Sequence, residues 1–191
     1  MAARTFSPNS VPRIARREFL CQAGALCGVV GAMASPPVLA AAVAPARSVR
    51  FVHTHTGESL TARYFEDGAY NPACLRQVDL LLRDFRTGEQ HAIDPSLLDV
   101  LHELQLLADR DAAFEVISGY RSPRTNALLH RRSSGVAEHS QHILGKAIDI
   151  RLSGYPTRRL GEHARYLSRG GVGFYAASDF VHVDTGPVRF W

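Results

Sequence analysis

The sequence predicts an α+β domain, and three patterns point to it. A β-hairpin pattern opens the folded part, two segments with apolar residues at three- and four-residue steps follow it, and short alternating strands fill the second half. Helices followed by a short, mostly antiparallel sheet give a small sheet with helices packed on it, not a doubly wound α/β fold.

Val49 to Val52 and Ser59 to Tyr64 flank His53-Thr54-His55-Thr56-Gly57-Glu58, a hairpin with its turn near Gly57. The alternation of His53 and His55 with threonine places both on the exposed face. The first helix starts near Pro72 and carries Leu75, Val78, Leu81, Leu82 and Phe85 on one stripe. The second follows the start signal Asp94-Pro95-Ser96 and carries Leu97, Leu98, Leu101, Leu104, Leu107 and Ala108. A strand at Phe114 to Ser118, a polar helix at Pro123 to Arg132 and a Ser/Gly/His loop come next. Ala147 to Leu152 is a strand, Thr157 to Ser168 a helix, and Val172 to Tyr175 and Phe180 to Asp184 are the last two strands.

With 191 residues, 46% hydrophobic, 21% charged and 3 Cys, the chain is neither collagen-like, nor low-complexity, nor a disulfide scaffold. Arg4, Arg13, Arg16 and Arg17 against Glu18 account for three of the four net positive charges, so the body is near neutral. Nothing there calls for a nucleic-acid surface. Arg16-Arg17-Glu18-Phe19-Leu20 opens a stretch uncharged up to Arg47, with small apolar residues from Ala23 to Ala34, a break at Pro36-Pro37 and Ala40-Ala41-Ala42. This resembles a Tat-type signal peptide. Residues 1–42 are therefore expected to be a leader cleaved after Ala42, and 43–191 the exported domain, with the Tat machinery as partner, a periplasmic location and no stable membrane span after cleavage. Cys21 and Cys27 lie in the leader, which leaves Cys74 as a buried small hydrophobe with no disulfide partner.

The chemistry collects in the second half. His142 lies seven residues before Asp149, a carboxylate inside the apolar alternation Ala147-Ile148-Asp149-Ile150. Burying it costs several kcal/mol unless a cation or a hydrogen-bond network compensates it. In Asp179-Phe180-Val181-His182-Val183-Asp184, His182 and Asp184 share a strand face. Two imidazoles and a carboxylate suit a catalytic zinc with its fourth position open to water. Without metal, the same three would be a hydrogen-bonded structural cluster.

Ser140-x-His142-x-x-Gly145-x-Ala147-x-Asp149 resembles the SxHxxGxAxD signature of the zinc D-Ala-D-Ala peptidases of the VanX and lysostaphin-type group. Asp179-x-x-His182 stands in the place of their acid-x-x-His motif, and Ser118-Gly119-Tyr120-Arg121-Ser122 resembles their Ser-x-Tyr-Arg segment. Phe180 to Trp191, with the leader and His55-Thr56-Gly57-Glu58, is similar to the YcbK-like, murein endopeptidase K branch, and the likeness runs from Val49 to Trp191.

The resemblance implies a Hedgehog/D-Ala-D-Ala peptidase-like fold and a zinc ion on His142, Asp149 and His182. Arg121 would hold the substrate carbonyl or the developing oxyanion, or, on a blander reading, cap a turn or pair with Glu138. The general base would be Asp179, which must sit at the strand's start or on a bend to face the same way as His182, with Asp184 as runner-up. The implied substrate is peptidoglycan, cut at D-Ala-diaminopimelate or diaminopimelate-diaminopimelate cross-links. The alternatives are a D,D-carboxypeptidase of stem peptides and a non-catalytic zinc-containing cell-wall binding module.

Overall fold

The computed structural model describes residues 44–191 apart from Ser134, so the expected leader lies outside the described residues. Among the described residues no helix is long and apolar enough to cross a membrane.

The chain is α+β, as expected. Its strands are β1 (Arg47–His53), β2 (Ser59–Glu66), β3 (Ala69–Tyr70), β4 (Phe114–Ser118), β5 (Ala147–Leu152), β6 (Gly171–Tyr175), β7 (Phe180–Asp184) and β8 (Arg189–Phe190). They form one sheet in the order β3-β2-β1-β4-β5-β7-β6-β8. Most neighbours are antiparallel, while β1 with β4 and β6 with β8 run parallel. The two-residue strands β3 and β8 are too short to leave a pattern in the sequence.

Helices α1 (Pro72–Leu81), α2 (Pro95–Ala108) and α4 (Thr157–Leu167) pack against the sheet. Val49 and Phe51 of β1, Ile148 and Ile150 of β5, and Val181 and Val183 of β7 meet the buried leucines of α2 and Leu160 of α4 in one core. Residues between them on β5 and β7 face the other way, so Asp149 and His182 lie on the sheet face opposite that core. Local signals explain the helix starts: the Asn71 Oδ1 accepts from the amides of Ala73 and Cys74 at 3.0 and 3.1 Å, and Pro72 fills the first helical position. Asp94 caps α2 through the Ser96 amide at 3.0 Å.

α1 stops at Leu81, short of Phe85, because the next residues are drawn into a buried polar knot. Asp84 is fully buried and accepts from the Ser122 amide at 3.0 Å, the Ser122 hydroxyl at 2.7 Å and the Arg86 amide at 3.0 Å. Ser122 in turn caps α3 (Pro123–Arg132), so the knot fixes the segment that carries Arg121. Burial alone would raise the Asp84 carboxyl, but the hydroxyls of Thr125 and Ser122 and the two amides hold it below its ordinary value. A depressed carboxylate stabilises the fold above the unfolded pKa of about 3.9 and loses that contribution as the pH falls through the folded value. Asp84→Ala is expected to cost about 1–3 kcal/mol at neutral pH by stranding these donors. Thermal melts below about pH 4 should then be less pH-sensitive in the variant than in the parent.

The hairpin corrects one expectation. His53 is buried, not exposed, with its ring edge-on to Phe85 at 5.5 Å, while exposed His55 stacks on the same ring at 4.2 Å. His53 is the last residue of β1 and continues the inward alternation of Val49 and Phe51, a period that the threonines of the turn obscure.

Candidate metal centre and cleft

Two strands and one turn bring the predicted ligands together. β5 and β7 pair with Asp149 directly opposite His182, so strand register alone makes these two neighbours. His142 arrives from a 3₁₀ turn, Gln141–Leu144, between α3 and β5. Ser140 starts that turn by accepting from the His142 amide at 3.3 Å, and Gly145 ends it with φ +65°. A Cβ at Gly145 would run into the Ala92 carbonyl oxygen, so the signature glycine is required by both backbone sign and space.

The donor atoms form a small triangle. His142 Nε2 stands 3.2 Å from Asp149 Oδ1 and 3.2 Å from His182 Nδ1, and His182 Nδ1 stands 2.9 Å from Asp149 Oδ1. Donors of a tetrahedral site, held about 2.0–2.2 Å from an ion, lie about 3.3 Å apart, so the triangle matches one face of such a site. Both imidazoles are turned for it. His142 Nδ1–H donates to the Gly119 carbonyl at 2.7 Å and His182 Nε2–H donates to Asp184 at 2.9 Å, which leaves Nε2 of the first and Nδ1 of the second as lone-pair donors.

Burial and the neighbouring polar groups oppose one another in setting the charge state of the cluster. Burial lowers the His142 imidazole, which favours the neutral ligand form. It would raise the Asp149 carboxyl, but His142, His182 and the Arg121 guanidinium outweigh it and hold the group well below the ordinary range. Burial likewise opposes the charged form of His182, and its bonds to Asp149 and Asp184 raise it in spite of that.

Arg121 pairs through Nη2 with Asp149 Oδ2, and its Nε donates to Ser118 Oγ at 2.9 Å. The pairing with Glu138 and the simple turn role both give way to this contact. A register shift in β4 between Val116 and Ser118 sets Ser118 opposite Asp149 and turns its hydroxyl to the site.

Asp184 and Asp179 occupy different places. Asp184 has no solvent exposure, and its oxygens accept from His182, the Gly171 amide at 3.0 Å, the Gly186 amide at 2.8 Å and Arg189 Nη2 at 2.7 Å. Burial raises its carboxyl, yet His182 and the amides of Gly186 and Gly171 pull it down to about 2. Asp179 immediately precedes β7 and lies in the left-handed region at φ +50°, so it stands at the strand's start, one of the two placements that the spacing allowed. Its carboxylate is 63% exposed and lies 3.6 Å from Arg151 Nη1. Arg151 follows Asp149 by two residues on β5 and so shares its sheet face, and among the described residues Asp179 makes no hydrogen bond to His142, Asp149 or His182.

The triangle lies in a cleft of about 530 Å³. Residues between Ser133 and Gln141 line one part of it, and Tyr175, Phe180, Arg189 and Trp191 line another. His139 is an exposed lining residue, and among the described residues it makes no hydrogen bond to His142. The Gly119 carbonyl and the Arg189–Asp184 pair escaped the sequence reading: a backbone acceptor has no residue signature, and only the fold brings β8 beside β6. Asp184→Asn replaces a carboxylate that serves four donors by an amide with one acceptor oxygen, and metal affinity is expected to fall about 10–100-fold in chelator competition.

A family model described as peptidoglycan L,D-endopeptidase MepK matches residues 41–191. The chain is 42% identical over 178 residues to the probable peptidoglycan L,D-endopeptidase MepK of Haemophilus influenzae, covering 92% of this chain and 95% of that protein. It is 38% identical over 177 residues to the peptidoglycan L,D-endopeptidase MepK of Escherichia coli, covering 92% and 96% respectively. The Shigella flexneri protein of that name gives the same figures.

Proposed function

Since the chain belongs to the peptidoglycan L,D-endopeptidase MepK family, we propose that it is an exported zinc peptidase that hydrolyses the peptide cross-links of peptidoglycan. The observation that carries this reading is the triangle of His142 Nε2, Asp149 Oδ1 and His182 Nδ1, each imidazole held in its ligand tautomer, on the wall of an open cleft. An ion bound there would supply a water of lowered pKa and a polarised carbonyl, the two needs of amide hydrolysis.

The remaining roles fall to the chain's own side chains. Asp179, exposed and between two residues that line the cleft, Ser178 and Phe180, accepts the proton of the attacking water and delivers it to the leaving amine, once its carboxylate turns from Arg151. Asp184 is the weaker candidate for that work because its lone pairs are already engaged in the interior. Its part is to orient His182. Arg121, with Nε and Nη2 committed to Ser118 and Asp149, keeps Nη1 to donate to the oxygen of the tetrahedral intermediate.

The bond follows from stereochemistry. A D-Ala-diaminopimelate link joins two D-centres, whereas a diaminopimelate-diaminopimelate link joins an L-centre to a D-centre. The relatives' designation as L,D-endopeptidases favours the second. The substrate lies outside the cytoplasm, in keeping with residues 1–42 as a Tat-type leader.

The test uses purified muropeptide dimers of each linkage, with products weighed by mass spectrometry. Monomers from the diaminopimelate-diaminopimelate dimer alone are expected. Dimers that stay joined but lose a terminal residue would replace this reading by a carboxypeptidase, and untouched dimers with zinc bound would replace it by a binding module.

A further inference from the structure

We propose that Trp191 is a substrate-binding residue, a rigid aromatic wall against which the aliphatic part of the stem peptide packs beside His182. This rests on the peptidoglycan reading above. The indole is 45% exposed in the cleft, and its centroid lies 5.3 Å from the His182 ring at 45°. An exposed indole is expected to be mobile, yet this one, with the Arg189 guanidinium 5.2 Å from its ring centroid, is tied through its Nε1 and its backbone. Its Nε1 donates to the Tyr175 hydroxyl at 2.8 Å, and its amide donates to the Val172 carbonyl at 3.2 Å. Its carbonyl accepts from the Phe174 amide and from Arg165 Nη2, each at 3.1 Å. Tyr175 itself stacks on Phe180 at 4.5 Å. Beneath the ring is Gly173, where a Cβ would stand 2.5 Å from the indole, so the ring lies directly on the β6 backbone.

An aromatic surface ordered before binding captures a ligand at little entropic cost. Its occupant follows from position. The scissile amide must lie at the His142–Asp149–His182 triangle, so whatever touches a ring 5.3 Å from His182 belongs to residues flanking that bond, whose methylene chains match the apolar wall. A glycan chain, farther from the bond, would reach the cleft elsewhere.

The chain holds one tryptophan, so its emission reports on this position alone. In the zinc-loaded Asp179→Asn variant, muropeptide dimers are expected to change that emission saturably, and glycan strands stripped of peptide are not. In the otherwise unaltered enzyme, Trp191→Ala should raise KM about tenfold while kcat and bound zinc stay within about twofold, and Trp191→Phe should restore most of the KM. A KM unchanged by Trp191→Ala, or a loss confined to zinc and kcat, would reduce Trp191 to packing for His182 and overturn the proposal. Emission that answers to glycan and not to peptide would overturn it too. Cleavage with silent emission and an unaltered KM would remove this role and leave the parent reading standing. Dimers neither cleaved nor sensed by the unaltered protein would remove both.

Discussion

His142→Ala is expected to abolish zinc binding and hydrolysis together while leaving the chain folded. The side chain supplies one of three donors, and two donors do not hold an ion with one open position in the way that three do. Its loss should therefore exceed the roughly 10–100-fold effect of an outer-shell change such as Asp184→Asn. The structural cost is smaller. His142 is buried, and its removal strands the Gly119 carbonyl and takes one partner from Asp149, which still keeps Arg121 and His182. About 1–3 kcal/mol is the expected destabilisation of the metal-free protein. Zinc content by elemental analysis, with a melt of the same sample, separates the two effects. A variant that keeps its zinc and its rate would move the site elsewhere.

Asp179→Asn should show the opposite split: zinc retained and kcat lowered by about 10²–10⁴-fold, the usual contribution of a positioned acid–base group. The amide cannot accept the proton of water, but it lies outside the triangle and takes nothing from the ligands. Asp184→Asn acts instead through metal affinity, so its rate should recover at high zinc. Steady-state kinetics across a zinc titration distinguishes the two acids. If excess zinc rescued Asp179→Asn and failed to rescue Asp184→Asn, the two assignments would be exchanged.

The parts of the site legible in the sequence are those fixed by local spacing. Ser140, His142 and Gly145 are the cap, the candidate ligand and the end of a single turn, and Asp149 follows on the next strand. Residues two apart on a strand share a face, so His182 was bound to meet Asp184, as it does at 2.9 Å. The spacing of Asp179 called for a strand start or a bend, and it stands just before β7 at φ +50°. What spacing could not tell is how these pieces stack across the sheet. Nothing local says that Asp184 faces Arg189 and two backbone amides in the interior, while Asp179 faces Arg151 in solvent. The β4 irregularity that turns Ser118 to Arg121 depends on pairing with β5, twenty-eight residues farther along between Arg121 and Asp149. The stop of α1 before Phe85 depends on Ser122, thirty-eight residues beyond Asp84. Hydrophobic period found Leu97, Leu98, Leu101, Leu104 and Ala108 on the buried face of α2, but it also put Leu107 there, which is exposed, and passed over Val100 and Gln105, which are buried. It was blind to His53, whose ring is buried by contact with Phe85, the residue that the same period had assigned to a helix.

The most direct test of the account is digestion of purified cross-linked peptidoglycan by the protein spanning residues 43–191, with and without a chelator and again after zinc is restored. Loss of cross-linked dimers that stops with the chelator and resumes with zinc is the expected result. Dimer loss that continues undiminished in a sample stripped of metal, or intact dimers in a sample with zinc bound, would contradict it.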